Sequence, residues 1–115
     1  MPLLKLQTNA ELSSGYEETL KEVSSFVSSF LSKPEKLVMV KLETHCNMVF
    51  GGSTQPAMLA ELNSIGLPEE RTQKLTQELT AFLSKSFHID GERIFVVFET
   101  FERHMWGWNG STFSG

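Results

Sequence analysis

The first two residues of the chain offer the most direct chemistry. Pro2 follows Met1, and removal of that methionine would expose the proline ring nitrogen as a free secondary amine. A free α-amine has a pKa of about 7.7 to 8.0, and burial or a neighbouring ammonium group lowers that pKa. A neutral amine of this kind takes a proton from a carbon next to a carbonyl group. Pro2 is therefore either an ordinary second residue or a general base.

Such a base requires a cation or an N–H donor that holds the substrate's carboxylate and the growing enolate. Lys33, just after the first predicted helix, is one candidate. The backbone N–H groups of Ser64, Ile65 and Gly66 are another, because a predicted strand ends there. Lys33 also has a purely structural explanation, since lysines commonly interact with the negative end of a helix dipole. The two roles of Lys33 are compatible.

Other reactive residue types lack the spacing that a second kind of site requires. The segment Gly51–Ser53 does not match a phosphate-binding loop and is predicted to be a tight turn. His45 and Cys46 are adjacent, but the other two histidines are far away in the sequence, so no metal site is predicted. Asn109–Ser111 matches a glycosylation sequon and is predicted to form a turn. We predict neither a metal nor a cofactor.

Composition indicates one globular domain spanning residues 1–115. Hydrophobic residues make up 40% and charged residues 21% of the chain, which is typical of globular proteins. The net charge of -4 and the absence of a basic stripe exclude a nucleic-acid-binding role. One cysteine excludes an internal disulfide. We see neither a secretory signal nor a membrane-spanning run, so we expect a cytoplasmic protein that does not bind membranes.

Apolar spacing divides the chain into two helices and several strands. The predicted strands are Leu3–Thr8, Leu37–Leu42, Met48–Phe50, Leu59–Ile65 and Ile94–Phe98. The first helix is predicted to be capped by Ser13 or Ser14 and to end before Pro34. The second is predicted to carry Pro68 in its first turn. Because the strand Leu37–Leu42 is mostly apolar, we expect it to be covered on both faces.

The two halves of the chain repeat, over about 2–56 and 58–105. Val23 and Leu79 are 56 positions apart, as are Phe26 and Phe82, and similar strands follow both helices. Two strand–helix–strand units predict an α/β fold with a four-stranded mixed sheet and both helices on one face. We expect the other face to be apolar and to be buried against further copies of the chain.

Five short motifs, which follow one another in order along the chain, resemble a known family. They are MP at the start, SKP at 32–34, FGGS at 50–53, NSIG at 63–66 and GWNGSTF at 107–113. Together they resemble the macrophage migration inhibitory factor and D-dopachrome tautomerase family of the tautomerase superfamily. The resemblance implies a homotrimeric barrel with its sites between subunits. It also implies cofactor-independent keto–enol tautomerisation of phenylpyruvate-like 2-oxo acids and isomerisation of dopachrome.

The resemblance also implies roles for particular residues. Pro2 becomes the general base, Lys33 binds the substrate's carboxylate or carbonyl, and the Ile65 backbone N–H assists, with Ser64 beside it. The aromatic walls of the pocket include Trp108 and Phe113.

Several positions depart from the family's pattern. Phe95 replaces a pocket tyrosine, Val97 an asparagine, Leu37 a tyrosine near the rim, and Trp106 a small aliphatic residue. We therefore expect a more apolar and narrower pocket, which suits phenylpyruvate better than the more polar dopachrome. The segment Ala57–Ala60 replaces a Cys-x-x-Cys motif, which removes any thiol oxidoreductase role.

Two alternatives remain open from the sequence. One is a cytokine-like, receptor-binding protein with a vestigial pocket, which would leave the cell without a signal peptide. The other is a different carbon-acid reaction in the same pocket, such as decarboxylation or hydration of an unsaturated acid.

Overall fold

A four-stranded mixed sheet with two helices on one face forms the body of the protein. The computed structural model describes residues 1–12 and 15–115. Its elements are β1 Leu3–Thr8, α1 Tyr16–Leu31, β2 Met39–Glu43, β3 Met58–Ile65, α2 Thr72–Phe87, β4 Ile94–Phe101, β5 Gly107–Trp108 and β6 Ser111–Thr112. The strand order is β2-β1-β3-β4, while β5 and β6 form a separate small hairpin. The predicted fold class is confirmed.

The register of the sheet brings one terminus of each of its four strands to the same end of the sheet. β1 and β2 run parallel, as do β3 and β4, whereas β1 and β3 are antiparallel with Leu3 opposite Asn63. The starts of β1 and β2 therefore lie at the same end of the sheet as the ends of β3 and β4. We call this end the Pro2 end, because Pro2 directly precedes β1.

The helices pack on the sheet through one apolar stripe each. In α1 the buried positions are Val23, Val27 and Leu31, which recur every four residues. The stripe of α2 is Leu75, Leu79, Leu83 and Phe87. These residues form one core with alternate residues of the strands, such as Leu4 and Leu62. Neither helix of the described residues has the length and hydropathy to cross a membrane.

Two predicted strand boundaries and one predicted strand are wrong, each for a local reason. β2 begins at Met39 rather than Leu37, because Glu35–Leu37 form a 3-10 turn whose N–H groups bond back to earlier carbonyls. Met48–Phe50 is not a strand, since only Phe50 makes an isolated bridge, to Ser53, across two glycines of positive φ. The strand predicted to end at Phe98 continues to Phe101, because pairing with β3 extends to that residue.

The starts of the two helices also differ from expectation. A 3-10 turn, Glu69–Arg71, lies between Pro68 and the first residue of α2, so Pro68 precedes this turn rather than sitting in the helix. Gly15, in the left-handed conformation, precedes α1. The predicted caps Ser13 and Ser14 lie outside the described residues.

The uncovered face of the sheet is not the apolar surface that we expected. Its three cross-sheet rows are Met39, Leu3, Asn63 and Glu99; Lys41, Lys5, Glu61 and Val97; and Glu43, Gln7, Leu59 and Phe95. Polar and charged side chains outnumber apolar ones, because β1, β2 and β3 direct their alternate apolar residues toward the helices. β2 is likewise not covered on both faces, since Met39, Lys41 and Glu43 are exposed in the single chain.

Candidate active site

Pro2 is buried where the sheet begins. Its carbonyl oxygen accepts a hydrogen bond of 3.0 Å from the Met39 N–H, which places it between the start of β2 and the end of β3. Pro2 is among the most fully buried residues of the described chain. Pro2 is therefore fixed in the protein and shielded from solvent.

Two cavities have Met1 in their lining. The first, of about 340 Å³, is lined by Met1, Pro2, the segment 36–39 and the aromatic tail. The second, of about 670 Å³, is lined by Met1, Lys33, Ile65 and the segment 100–103, among others. Because Met1 lines both cavities, its removal would open space between them next to Pro2.

The end of helix α1 fixes the position of Lys33. Ser32 adopts the left-handed conformation with φ of 53°, and its N–H bonds to the Ser29 carbonyl. The Lys33 N–H donates to the Ser28 carbonyl at 3.0 Å, and the Ser28 hydroxyl donates to the Lys33 carbonyl. This is a Schellman arrangement, which ends a helix and directs the chain sharply away. Lys33 therefore leaves the helix with its backbone held on both sides.

The charge on the N-terminal amine responds to this environment. Burial lowers the pKa of the Met1 α-amine below its ordinary value, and the Lys33 ammonium lowers it further. Both effects disfavour the protonated amine, by desolvation and by like-charge repulsion respectively. A larger fraction of the amine is therefore neutral, and able to accept a proton, at neutral pH.

The C-terminal hairpin supplies the aromatic wall of the first cavity. The rings of Trp108 and Phe113 stack with 6.2 Å between centroids and 3° between planes. Trp106 packs edge-on against Phe101 at 5.4 Å. The Phe113 N–H donates to the Trp106 carbonyl, and Arg103 Nε donates to the Phe113 carbonyl at 3.0 Å. The three predicted aromatic residues of the tail are thus brought together beside Pro2.

Three other predicted site residues do not reach either cavity within one chain. Phe95 and Val97 are exposed on the uncovered face of β4, and Phe95 contacts Phe50 with 4.6 Å between ring centroids. Phe95 lies six strand residues before Phe101, a distance of about 20 Å along an extended strand. Ser64 is buried on the helix side of the sheet, where its hydroxyl faces the Ile65 carbonyl at 3.5 Å.

One predicted N–H donor is already engaged. The Gly66 N–H bonds to the Phe101 carbonyl at 3.3 Å, which continues the pairing of β3 with β4 by one residue. Both Ile65 and Gly66 line the cavity that holds Lys33, whereas Ser64 does not. Because the Gly66 N–H is engaged, Ile65 is the remaining predicted donor beside this cavity.

Comparison with known proteins identifies the family. A family model described as macrophage migration inhibitory factor (MIF) matches residues 1–114. The chain belongs to the MIF family. A MIF homolog of Trichinella spiralis is 34% identical over 98% of this chain and 100% of its own length.

Solved structures of the family have the same fold. A MIF homologue from Prochlorococcus marinus has a TM-score of 0.91 and 36% identity, with 96% of this chain and 98% of that chain covered. MIF from Trichinella spiralis also has a TM-score of 0.91, with 32% identity over 96% of this chain and 99% of that chain. The family resemblance of the five motifs is confirmed.

Two basic residues of this MIF-family chain line the cavities without having been singled out from the sequence. Lys36 lines the cavity of the aromatic tail, and Arg103 lines that of Lys33. Both lie in 3-10 turns next to a sheet strand, Glu35–Leu37 before β2 and Arg103–Met105 after β4. Their position in the sequence could have identified them, because a basic residue just outside a strand at the Pro2 end lies beside the site.

Proposed function

We propose that the protein is a cofactor-independent keto–enol tautomerase of phenylpyruvate-like 2-oxo acids, with Pro2 as the general base once Met1 is removed. The observation that carries the proposal is the buried position of Pro2, which lines one cavity and directly follows Met1, the residue that lines both. One cavity contains a cation, Lys33, and the other has aromatic walls. A 2-oxo acid with an aromatic ring needs both.

The proposed reaction moves one proton off carbon and one onto oxygen. The neutral Pro2 nitrogen takes a proton from the carbon next to the substrate's carbonyl, and the electron pair of that C–H bond forms the enolate. The Lys33 ammonium holds the carboxylate, and the Ile65 N–H stabilises the charge that develops on the carbonyl oxygen. The protonated proline then gives up this proton to the oxygen, either directly or through a water that takes the proline's proton as it delivers its own, which completes the enol and restores the base.

The lowered pKa of the N-terminal amine supports this role. Burial and Lys33 lower the pKa of the amine of Met1. After processing, the amine would be that of Pro2, one residue deeper in the same environment. The cation that orients the substrate would therefore also keep the base neutral.

We propose further that the protein is a homotrimer with its sites between subunits. β2 and β4 are edge strands, and an edge strand with free backbone groups favours pairing with another chain. Phe95 and Val97 are 59% and 47% exposed, far from Pro2 of their own chain. In a ring of copies these side chains would complete the pocket of a neighbour. Sedimentation at three times the 13.0 kDa chain mass is expected, and a monomer would contradict the proposal.

The test of the base is Pro2→Gly, which keeps an α-amine but loses the secondary ring nitrogen. Phenylpyruvate enolisation should fall by about 10²- to 10⁴-fold, the usual contribution of a general base. Pro56→Gly, at the opposite end of the sheet, is the control and should retain activity. Intact mass must show that Met1 is absent from each protein.

Wild-type rates in Pro2→Gly would rule out Pro2 as the base, as would full turnover with Met1 still attached. Negligible turnover by correctly assembled wild-type protein would instead favour the receptor-binding interpretation.

A further inference from the structure

Lys36 is a second cation at the candidate site, in a different cavity from Lys33. It lines the cavity of about 340 Å³ together with Pro2 and the aromatic tail. Lys33 lines the other cavity, which shares Met1 with the first. A site that joined the two cavities would therefore contain both lysines, one from each cavity.

The backbone that carries Lys36 is held firmly. The Leu37 N–H donates to the Pro34 carbonyl and the Val38 N–H to the Glu35 carbonyl, both at 3.0 Å. The Met39 N–H then bonds to Pro2 itself. The short turn that bears Lys36 is thus tied, within three residues, to the residue proposed as the base.

Neither lysine is neutralised by a protein carboxylate. Among the described residues no ion pair involves Lys33 or Lys36, although Glu35 lies between them in the sequence. Glu102, beside the second cavity, is 3.3 Å from His104 instead. Both ammonium groups remain available to an anionic ligand.

We propose, on the basis of the proposed function, that the preferred substrates are aromatic 2-oxo acids with a second carboxylate at the far end of the ring. Lys33 holds the carboxylate next to the reacting carbon, and Lys36 holds the distal one. The ring lies between them against Trp108 and Phe113. A cavity of about 340 Å³ is at the small end of ligand sites, which suits a single ring with a short substituent.

The experiment compares two substrates in four proteins. The kcat/KM values for phenylpyruvate and for 4-carboxyphenylpyruvate are measured for wild type, Lys36→Gln, Lys36→Arg and Lys85→Gln. The preference for the dianion should fall about fivefold in Lys36→Gln, as expected for one partly exposed ion pair, and should largely return in Lys36→Arg. Lys85 lies in the last turn of α2, toward the opposite end of the sheet, so Lys85→Gln makes the same charge change without loss of preference.

A binding measurement keeps this proposal separate from the proposed function. Both tryptophans of the chain line the first cavity, so their fluorescence reports on its occupancy. Titration with 4-carboxyphenylacetate and phenylacetate, which resemble the substrates but lack the ketone, should show the same fivefold loss of preference in Lys36→Gln.

If wild type enolises neither substrate, the tautomerase proposal fails and the titration alone decides the role of Lys36. An unchanged preference in Lys36→Gln, or an equal loss in Lys85→Gln, would overturn the second anion subsite.

Discussion

Arg93 holds the loop between β2 and β3 through its guanidinium group. Its replacement should lower the free energy of unfolding by more than replacement of a typical surface arginine does. Four N–H donors are used, toward the carbonyl oxygens of Phe50, Ser53, Gln55 and Pro56 at 2.9–3.2 Å. The guanidinium carbon also lies 5.2 Å from the centroid of the Phe50 ring. The loop has no sheet pairing of its own beyond one isolated bridge. Arg93 therefore supplies four of the hydrogen bonds that hold this loop, and the Asn9 side chain makes three more, with Thr54, Gln55 and Ala57.

The expected magnitude follows from these contacts. The four hydrogen bonds are exposed or partly buried, so about 0.5–1 kcal/mol for each is appropriate, and Arg93→Met should lower the free energy of unfolding by about 2–4 kcal/mol. For a domain of this size, that loss corresponds to a fall in Tm of about 8–16 °C. The same loop holds Phe50 against Phe95, which is proposed to complete the site of a neighbouring subunit.

Arg71 provides a matched control. It also lies over a phenylalanine, with 4.8 Å between its guanidinium carbon and the Phe30 ring centroid, but it donates only one hydrogen bond, of 3.0 Å, to the Phe30 carbonyl. Arg71→Met should cost about 1 kcal/mol. The difference between the two variants isolates the three additional hydrogen bonds of Arg93.

Urea unfolding at one fixed protein concentration measures both variants, together with Arg93→Lys. A lysine keeps the charge but not the planar fork, so it should recover less than half of the lost stability. If the free energies of unfolding of the two methionine variants differ by less than about 0.5 kcal/mol, the low end for a single hydrogen bond, the guanidinium group of Arg93 does not hold the loop as described. Full recovery in Arg93→Lys would mean that charge, rather than geometry, matters.

Two further variants test the site's electrostatics and the core. Lys33→Gln removes a cation that lowers the pKa of the N-terminal amine. That pKa should therefore rise, and the ascending limb of the pH–rate profile should move to higher pH. An unmoved limb would show that Lys33 does not act on the base. Thr8→Val should cost about 1–3 kcal/mol in urea unfolding, because the buried Thr8 hydroxyl donates to the Ala57 carbonyl at 2.6 Å and accepts from the Ala10 N–H at 3.0 Å. The exposed Thr54→Val serves as its control, and equal losses in both would contradict this account.

The sequence was sufficient for the elements that have strong periodicity. The stripes of α1 and α2, and the long strand β3, follow directly from apolar spacing. The errors fall where local hydrogen bonding competes with that pattern. Leu37 is apolar and precedes a strand, but its N–H bonds back to the Pro34 carbonyl and draws it into a turn.

The uncovered face was mispredicted because periodicity within a strand does not reveal the register between strands. Lys5, Lys41 and Glu61 look like isolated charges in the sequence. Pairing of β1 with β2 and β3 places them in one cross-sheet row, in the middle of the face that was expected to be apolar. Any assembly that covers this face must therefore accommodate a charged row as well as Leu59, Phe95 and Val97.

The candidate site was predictable where the chain itself brings residues together. Pro2 and Ile65 each adjoin a strand terminus, and the sheet's register brings those termini to one end. Lys33 follows the end of α1 and lines the same cavity as Ile65. Phe95 and Val97 could be assigned only through the family resemblance, since Phe95 lies toward the far end of its own sheet and Val97 in the middle row of the uncovered face. Lys36 was missed because a lysine in a turn has no periodicity that distinguishes it from a solvated one.

The internal repeat explains why only one end of the sheet can carry this chemistry. Both helices end in the same way, with Ser28 and Ser84 each bonding through the backbone and hydroxyl to the residue five positions later. That residue is Lys33 in the first half, but in the second it is Ile89, which is 2% exposed and part of the core. The position that matches Pro2 lies within the chain, near Leu59, where the nitrogen belongs to an ordinary peptide bond. A free α-amine exists only at the start of a chain. A cation that lowers the pKa of such an amine can therefore act on it only in the first half.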